Sequence, residues 1–325
     1  MRTTLPALLI LIFLLSGCAS RDVYDPASLD INHGNLPVTD LSVNIDGLGP
    51  CTDNPNRTLN LNSNEPTIIL AHGCFGSSGR FRAFAEVFAF HGQQTACFSY
   101  NDRDSLTQSS SELIEAIRQL GEVMSNKQYT IIGHSQGGLI SRKALISDRE
   151  YNLQNKDVEL RLITISAPFS GIEAASHCGS ELGQVITLGL IIPICYAISG
   201  DKWHEITFAS DFIQKPGTLI PQVNDYLKIV TDERNTCRRY DNKSQCIEDD
   251  YVFSIEEQYY PDVDKGTPLT NIQLHAGHAE IIGNQNMAPT KLIEALQKHG
   301  VMKTTIASQK NKLNSLLAHL YDLKQ

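Results

Sequence analysis

Gly133-His134-Ser135-Gln136-Gly137 places a serine between two glycines, directly after the apolar run Tyr129–Ile132 and before the apolar Leu139-Ile140. A serine hydroxyl in that setting suits nucleophilic attack on an acyl carbon, provided a base stands ready to take its proton. Upstream, "ILAHGCFGSSG", Ile69–Gly79, ends a second apolar run with His72-Gly73-Cys74-Phe75-Gly76. Such a loop can aim backbone N–H groups at an oxyanion. Far downstream, "HAGHAEIIG" carries His275 and His278 after a strand-like stretch. Nucleophile, oxyanion donors and base are the parts of an acyl-transfer site.

These parts need elements to hold them. Thr67–Ala71 reads as a short buried strand, and residues 80–90 carry Phe81, Phe84, Ala85, Phe88 and Ala89 at helical spacing. Further strands are expected over Thr95–Tyr100, Tyr129–Ile132 and Leu160–Ile165, and helices over Ser111–Met124 and Gln136–Ile146. Strand and helix alternate with short connections, which predicts an α/β fold with a mostly parallel sheet covered on both faces. In such a fold Ser135 sits on a sharp strand-to-helix turn. Gly133 and Gly137 are needed there because a side chain at either position would clash as the helix packs on the strand; the serine is strained and its hydroxyl lifted out of the sheet.

With both motifs on the page, the chain resembles an α/β-hydrolase of the lipase/esterase kind over roughly residues 66–300. The resemblance implies a Ser-His-Asp triad without a cofactor, working on an acyl ester or lipid substrate through an acyl-enzyme. Ser135 is then the nucleophile. The oxyanion hole comes from the N–H groups of Gln136 and Cys74, with Phe75 as the fallback for Cys74. His278, after a glycine and before an apolar helix start, is the base. His275 is expected to be a packed or supporting imidazole. Residues 251–255 read as a strand, and the family pattern D-x-x-x-P just after it fits Asp264-Lys265-Gly266-Thr267-Pro268. Asp264 is therefore the expected acid, with Asp262 as alternate and Glu256 and Glu257 open. Acyl transfer to an alcohol and thioester cleavage share this site, and a silent, surface-anchored binding module is the rival from outside enzymology.

Composition sets the outer limits. Of 325 residues, 41% are hydrophobic, enough for a sizeable core; 36 acidic residues against 27 basic give a net charge of −9. With no long basic block, nucleic acid is not an expected partner. Leu5–Leu15 is an almost wholly apolar run behind Arg2, the length of a signal-peptide h-region and short for a bilayer span. Leu15-Ser16-Gly17-Cys18 resembles the lipobox of bacterial lipoproteins, which implies lipidation at Cys18 and a membrane partner through that anchor. Ala19 after the cysteine implies the outer membrane if the host is Gram-negative.

The expected organisation is a signal peptide over 1–17, a tether over 18–40, a hydrolase domain over 41–300 and a C-terminal helix over 301–325. An insert over about 172–230 is the expected lid or cap, since residues 185–198 are apolar but broken by Gly189 and Pro193. Seven cysteines follow Cys18. An exported chain favours disulfides, and Cys237 with Cys246, or Cys178 with Cys195, would each close a local loop. Cys51, Cys74 and Cys97 leave one odd thiol, and pairing does not follow from sequence. No metal-ligand spacing is present.

Overall fold

A computed structural model describes residues 35–74, 76–147, 157–172, 202, 204–265, 269–284 and 287–321. The expected signal peptide, Cys18, Phe75, Pro268, the pair Cys178 and Cys195, and the apolar stretch 185–198 lie outside these residues.

The apolar runs become strands wherever both of their faces can be buried. In chain order the strands are β1 (Leu41–Val43), β2 (Leu48–Gly49), β3 (Leu59–Leu61), β4 (Thr67–Ala71), β5 (Gln94–Phe98), β6 (Gln128–His134), β7 (Glu159–Ile165), β8 (Val223–Asp232), β9 (Cys237–Tyr240), β10 (Cys246–Asp249) and β11 (Leu269–His275). The α-helices are α1 (Arg82–Phe90), α2 (Leu106–Val123), α3 (Gln136–Ala144), α4 (Asp211–Gln214), α5 (Ile255–Gln258), α6 (Pro261–Asp264), α7 (Thr290–Lys298) and α8 (Lys310–Leu320).

Seven strands form one sheet in the order β11-β8-β7-β6-β4-β5-β2. Every neighbouring pair in it is parallel except β2 with β5. The two faces are sorted by alternation along each strand. Ile69, Ile131 and Leu162 join the cluster that contains Leu113 and Ile117 of α2 and Ile140 of α3. Ile68, Leu70, Ile132 and Ile163 join the cluster with Phe84 and Phe88 of α1, Leu292 and Leu296 of α7, and Leu313 and Leu317 of α8. Each such Ile or Leu, fully buried, contributes about 1.5–3 kcal/mol. This is the α/β-hydrolase architecture expected from the sequence. Near the N-terminus β1 pairs with β3, antiparallel and outside the main sheet.

Four boundaries change. Helix α2 starts earlier, where the Ser105 side chain accepts from Gln108 N and caps the first turn. The chain is already docked before residue 41: Asn35 Nδ2 donates to Phe90 O, and Asn62 Nδ2 to Val38 O. Asn35 and Val38, expected within the tether, are thus bonded to the folded body. Residues 223–230, expected to lie in the insert, belong to β8, a central strand, and Ile172 N donates to Ile206 O. Finally, residues 251–255 are not a strand. Val252 and Phe253 spend their N–H groups on a carboxylate, and Ser254 with Glu257 forms a capping box that opens α5.

Among the described residues there are two disulfides, Cys51–Cys97 and Cys237–Cys246. The second staples the β9–β10 hairpin, as the spacing suggested. Cys74 remains a thiol. Among the described residues no helix is long and apolar enough to cross a membrane.

Candidate active site

The carboxyl ends of β4, β6, β7, β8 and β11 carry the residues with chemistry. In open α/β sheets this is the edge where ligands bind.

Ser135 follows β6 with φ 55° and ψ −125°, the strained turn predicted for it. The glycines explain how the strain is held. A Cβ on Gly133 would lie 2.3 Å from Gly137 O, and one on Gly137 would lie 2.2 Å from Ala71 O. Only bare backbone lets α3 start this close to β4 and β6. Ser135 N donates to Ile165 O, which fixes the turn against β7. Gln136 begins α3, where first-turn N–H groups point outward and favour negative charge.

The loop after β4 lies against the serine: a Cβ on Gly73 would come 3.0 Å from Ser135 Cβ. His72 anchors this loop. Its ring stacks on Tyr100 at 4.3 Å between centroids, and Tyr100 Oη donates to His72 O at 2.6 Å. Burial pushes the His72 pKa down and the Tyr100 pKa far up, so both rings are neutral props. Cys74 follows, half-buried.

His278 lies on the loop after β11 and is buried. Its backbone carbonyl accepts from His134 Nε2 at 3.0 Å, and the two rings stand 4.7 Å apart. The residue before the serine thus holds the histidine loop beside it. Burial, and then the neighbouring His278, drive the His134 pKa far down, so His134 stays neutral and its Nε2–H donates. Phe253 closes another side of the His278 ring, edge to face at 4.8 Å. Asp250, fully buried, accepts from Ala279 N and Glu280 N, and its own carbonyl accepts from His278 N.

The carboxylate at His278 is Glu233, not Asp264. Glu233 Oε1 stands 2.9 Å from His278 Nδ1 and is buried. Its Oε2 accepts from Val252 N (2.6 Å) and Phe253 N (2.9 Å). Ser166 Oγ donates to Oε1 at 2.7 Å and also lies 2.9 Å from His278 Nδ1. Ser166 has φ 46°, a second strained non-glycine residue in the site. Thr231 Oγ1 lies within hydrogen-bond distance of both Ser166 Oγ and Glu233 Oε1. Burial alone would raise the Glu233 pKa, but the bond to His278 and the two backbone N–H groups outweigh it, and the net shift is downward. An ionised Glu233 fixes the proton on Nδ1 and leaves Nε2 as the acceptor nitrogen of the ring.

The other carboxylates are elsewhere. Asp264 Oδ1 pairs with Lys228 Nζ at 2.5 Å, and its Oδ2 accepts from Tyr260 N. Lys228 points from the middle of β8 and is almost fully buried, its ammonium 4.3 Å from the Tyr259 ring centroid. That lysine needs an anion, and Asp264 supplies it. Asp262 is exposed beside Lys265, Glu257 caps α5, and Glu256 is exposed. His275 is exposed and bonds Asp232 O through Nδ1, rather than packing.

Ser135, Gln136, Cys74 and His278 are therefore brought together, and Asp264 and Asp262 are not. Glu233 was missed because β8 was missed. Its signal was present in "LKIVTDE", an apolar run ending in an acid. Among the described residues no group of three or more His, Cys, Asp or Glu side chains could hold a metal ion.

Residues 67–249, more than half of the chain, match the family model described as palmitoyl protein thioesterase. No curated protein matches the chain. Among solved structures it is similar to the lipase BlEst2 of Bacillus licheniformis in its mature form, at 15% identity over 73% of this chain and 92% of that one, with a TM-score of 0.46. It is also similar to esterase B of Lactobacillus rhamnosis (12%, 79% and 78%, 0.45). A third is the Paleococcus ferrophilus monoacylglycerol lipase (13%, 79% and 96%, 0.44).

Proposed function

We propose that this chain, which belongs to the palmitoyl protein thioesterase family and has the α/β-hydrolase fold, is a serine hydrolase that cleaves carboxylic esters of acyl chains. Ser135 attacks the carbonyl carbon as His278 Nε2 takes its proton. Glu233 holds the imidazole in the right tautomer and offsets the imidazolium charge. The tetrahedral oxyanion accepts from the N–H groups of Gln136 and Cys74. His278 then protonates the leaving oxygen, and water, activated by the same imidazole, resolves the acyl-enzyme.

The observation that supports this most is the strained Ser135 at the head of α3, with the His278–Glu233 pair held beside it through His134. A second reading, thioester cleavage at the same serine, draws on the description of the matched family. A thiol is a far more acidic leaving group than an alcohol, so that reaction leans less on His278 as an acid.

We further propose that Cys18 carries a lipid and holds the enzyme at the cell envelope, at the outer membrane in a Gram-negative host. The support is the Leu15-Ser16-Gly17-Cys18 stretch behind a short apolar run. Metabolic labelling with a palmitate analogue should mark the wild type and not Cys18→Ala.

The test of the reaction is a p-nitrophenyl ester series from acetate to palmitate, run beside acyl-thioesters of matched length. Ser135→Ala should lose more than a thousandfold in turnover and keep its fold. Wild-type turnover in a folded Ser135→Ala chain would overturn the reading. The ratio of thioester to oxyester turnover decides between the two substrate classes.

A further inference from the structure

Lys202 lies against the candidate site. Lys202 is 1% exposed, so its ammonium is buried. An ammonium has three N–H donors, and here it meets three acceptors. They are Gln136 Oε1 at 2.6 Å, Asp102 O, and Cys74 Sγ at 3.0 Å. Gln136 Nε2 in turn donates to Asp102 O at 3.2 Å, which closes the group. A buried ammonium is costly unless its donors are met, and these three bonds meet them.

Two of the three partners are the residues whose backbone N–H groups form the oxyanion hole in the proposed function. They come from separate elements: Cys74 from the loop after β4, Gln136 from the first turn of α3. Oxyanion donors act only if held at fixed positions before the charge develops. Three residues further on, Glu205 accepts from Ser105 Oγ (3.0 Å) and from Thr107 Oγ1 (2.6 Å) at the start of α2. Glu205 is thus tied to the start of α2, and Lys202 to Cys74 and Gln136.

We propose that Lys202 is a positioning residue for the oxyanion hole. It fixes Cys74 and Gln136 relative to each other, and so supports the competence of Ser135. All three of its protons are spent on protein acceptors, so it acts through those two residues rather than on the substrate. The inference rests on the ester-hydrolase reading.

The experiment is Lys202→Met, which keeps the stem and removes the charge. The expected loss in kcat is about tenfold to a hundredfold, part of what one oxyanion donor is worth, with KM within about twofold of wild type. Affinity for an alkyl trifluoromethyl ketone, which forms the tetrahedral adduct on the serine, should fall by the same factor as kcat. A loss of packing alone would not give that match. Gln136→Leu, which leaves the lysine in place and retains the backbone N–H, is the second variant. It should also lower kcat with KM kept, and it serves if Lys202→Met fails to fold. Wild-type kcat in folded Lys202→Met or in Gln136→Leu overturns the proposal, as does a loss confined to KM. A wild-type chain that cleaves no ester or thioester and takes up no fluorophosphonate overturns the hydrolase reading as well. An active, labelled wild type beside a kinetically normal Lys202→Met overturns the lysine's role alone.

Discussion

Two carboxylates meet basic side chains at β8, five residues apart on the strand side. Lys228 sits in the middle of the strand with Asp264 against it, and Glu233 stands just past the carboxyl end with His278 against it. Both pairs are short and largely buried. The lysine side chain is 2% exposed and its Asp264 partner 18%, while Glu233 is fully enclosed. Position along the strand separates their roles. Lys228 lies below the site edge, where its ammonium packs against Tyr259 and Phe169 and a carboxylate can do no more than neutralise it. Glu233 lies at the edge where Ser135 also emerges, and it faces an imidazole that can exchange a proton. A buried ion pair is therefore weak evidence for catalysis by itself, and the end of the strand it occupies carries more.

The comparison can be broken by amide variants. Glu233→Gln should lower kcat/KM by about a thousandfold or more, because an amide no longer fixes the Nδ1–H tautomer. Asp264→Asn should leave turnover of the folded enzyme within about threefold. It should instead cost stability, about 3 kcal/mol by denaturant titration, since Lys228 is left buried without its anion. Similar activity losses in the two variants would erase the distinction. Asp262→Asn should change neither.

Ser166→Ala sharpens the same comparison at smaller scale. It removes one charge-assisted bond to Glu233 while the Val252, Phe253 and Thr231 contacts remain. The expected loss is about tenfold in kcat, in line with about 1.5 kcal/mol for a hydrogen bond to a charged group.

The smallest effect is on stability against pH. The folded-state pKa of Glu233 lies below its unfolded value. The unfolded chain therefore takes up that proton first as pH falls. The stabilisation is fully present above the ordinary glutamate value of about 4.3 and is lost as pH drops through the depressed folded value. Wild type should lose more melting temperature between about pH 6 and pH 3 than Glu233→Gln does. Equal slopes would mean that Glu233 is not ionised and paired in the native state.

How much of this could be read from the sequence follows from burial and periodicity. Strands β4, β6 and β7 carry short apolar runs, Ile68–Ala71, Ile131-Ile132 and Leu162-Ile163, and the glycines around Ser135 have one steric explanation, so the turn at Ser135 and the strand positions beside it were legible. His278 was legible because a strand-like run and a glycine precede it. Strand β8 was not, because Asn224, Asp225 and Lys228 interrupt its apolar pattern. Lys228 is tolerated only by virtue of Asp264, more than thirty residues away, and no local pattern announces that partner. Losing β8 extended the insert to about residue 230 and moved the acid to the next loop that fitted a family pattern. Ser254-Ile255-Glu256-Glu257 carried a legible capping box that argued against a strand there. Lys202 was invisible for the same reason as Lys228: its partners are assembled only by the fold.

The most direct test of the account is the rate of fluorophosphonate labelling of Ser135 in wild type, Glu233→Gln and Asp264→Asn, below the melting temperature of each. Labelling reads the activation of the serine without assuming a substrate. The account predicts rapid labelling of wild type and Asp264→Asn at Ser135, with Glu233→Gln slower by at least a hundredfold. Slow labelling of Asp264→Asn beside a wild-type rate in Glu233→Gln would contradict it.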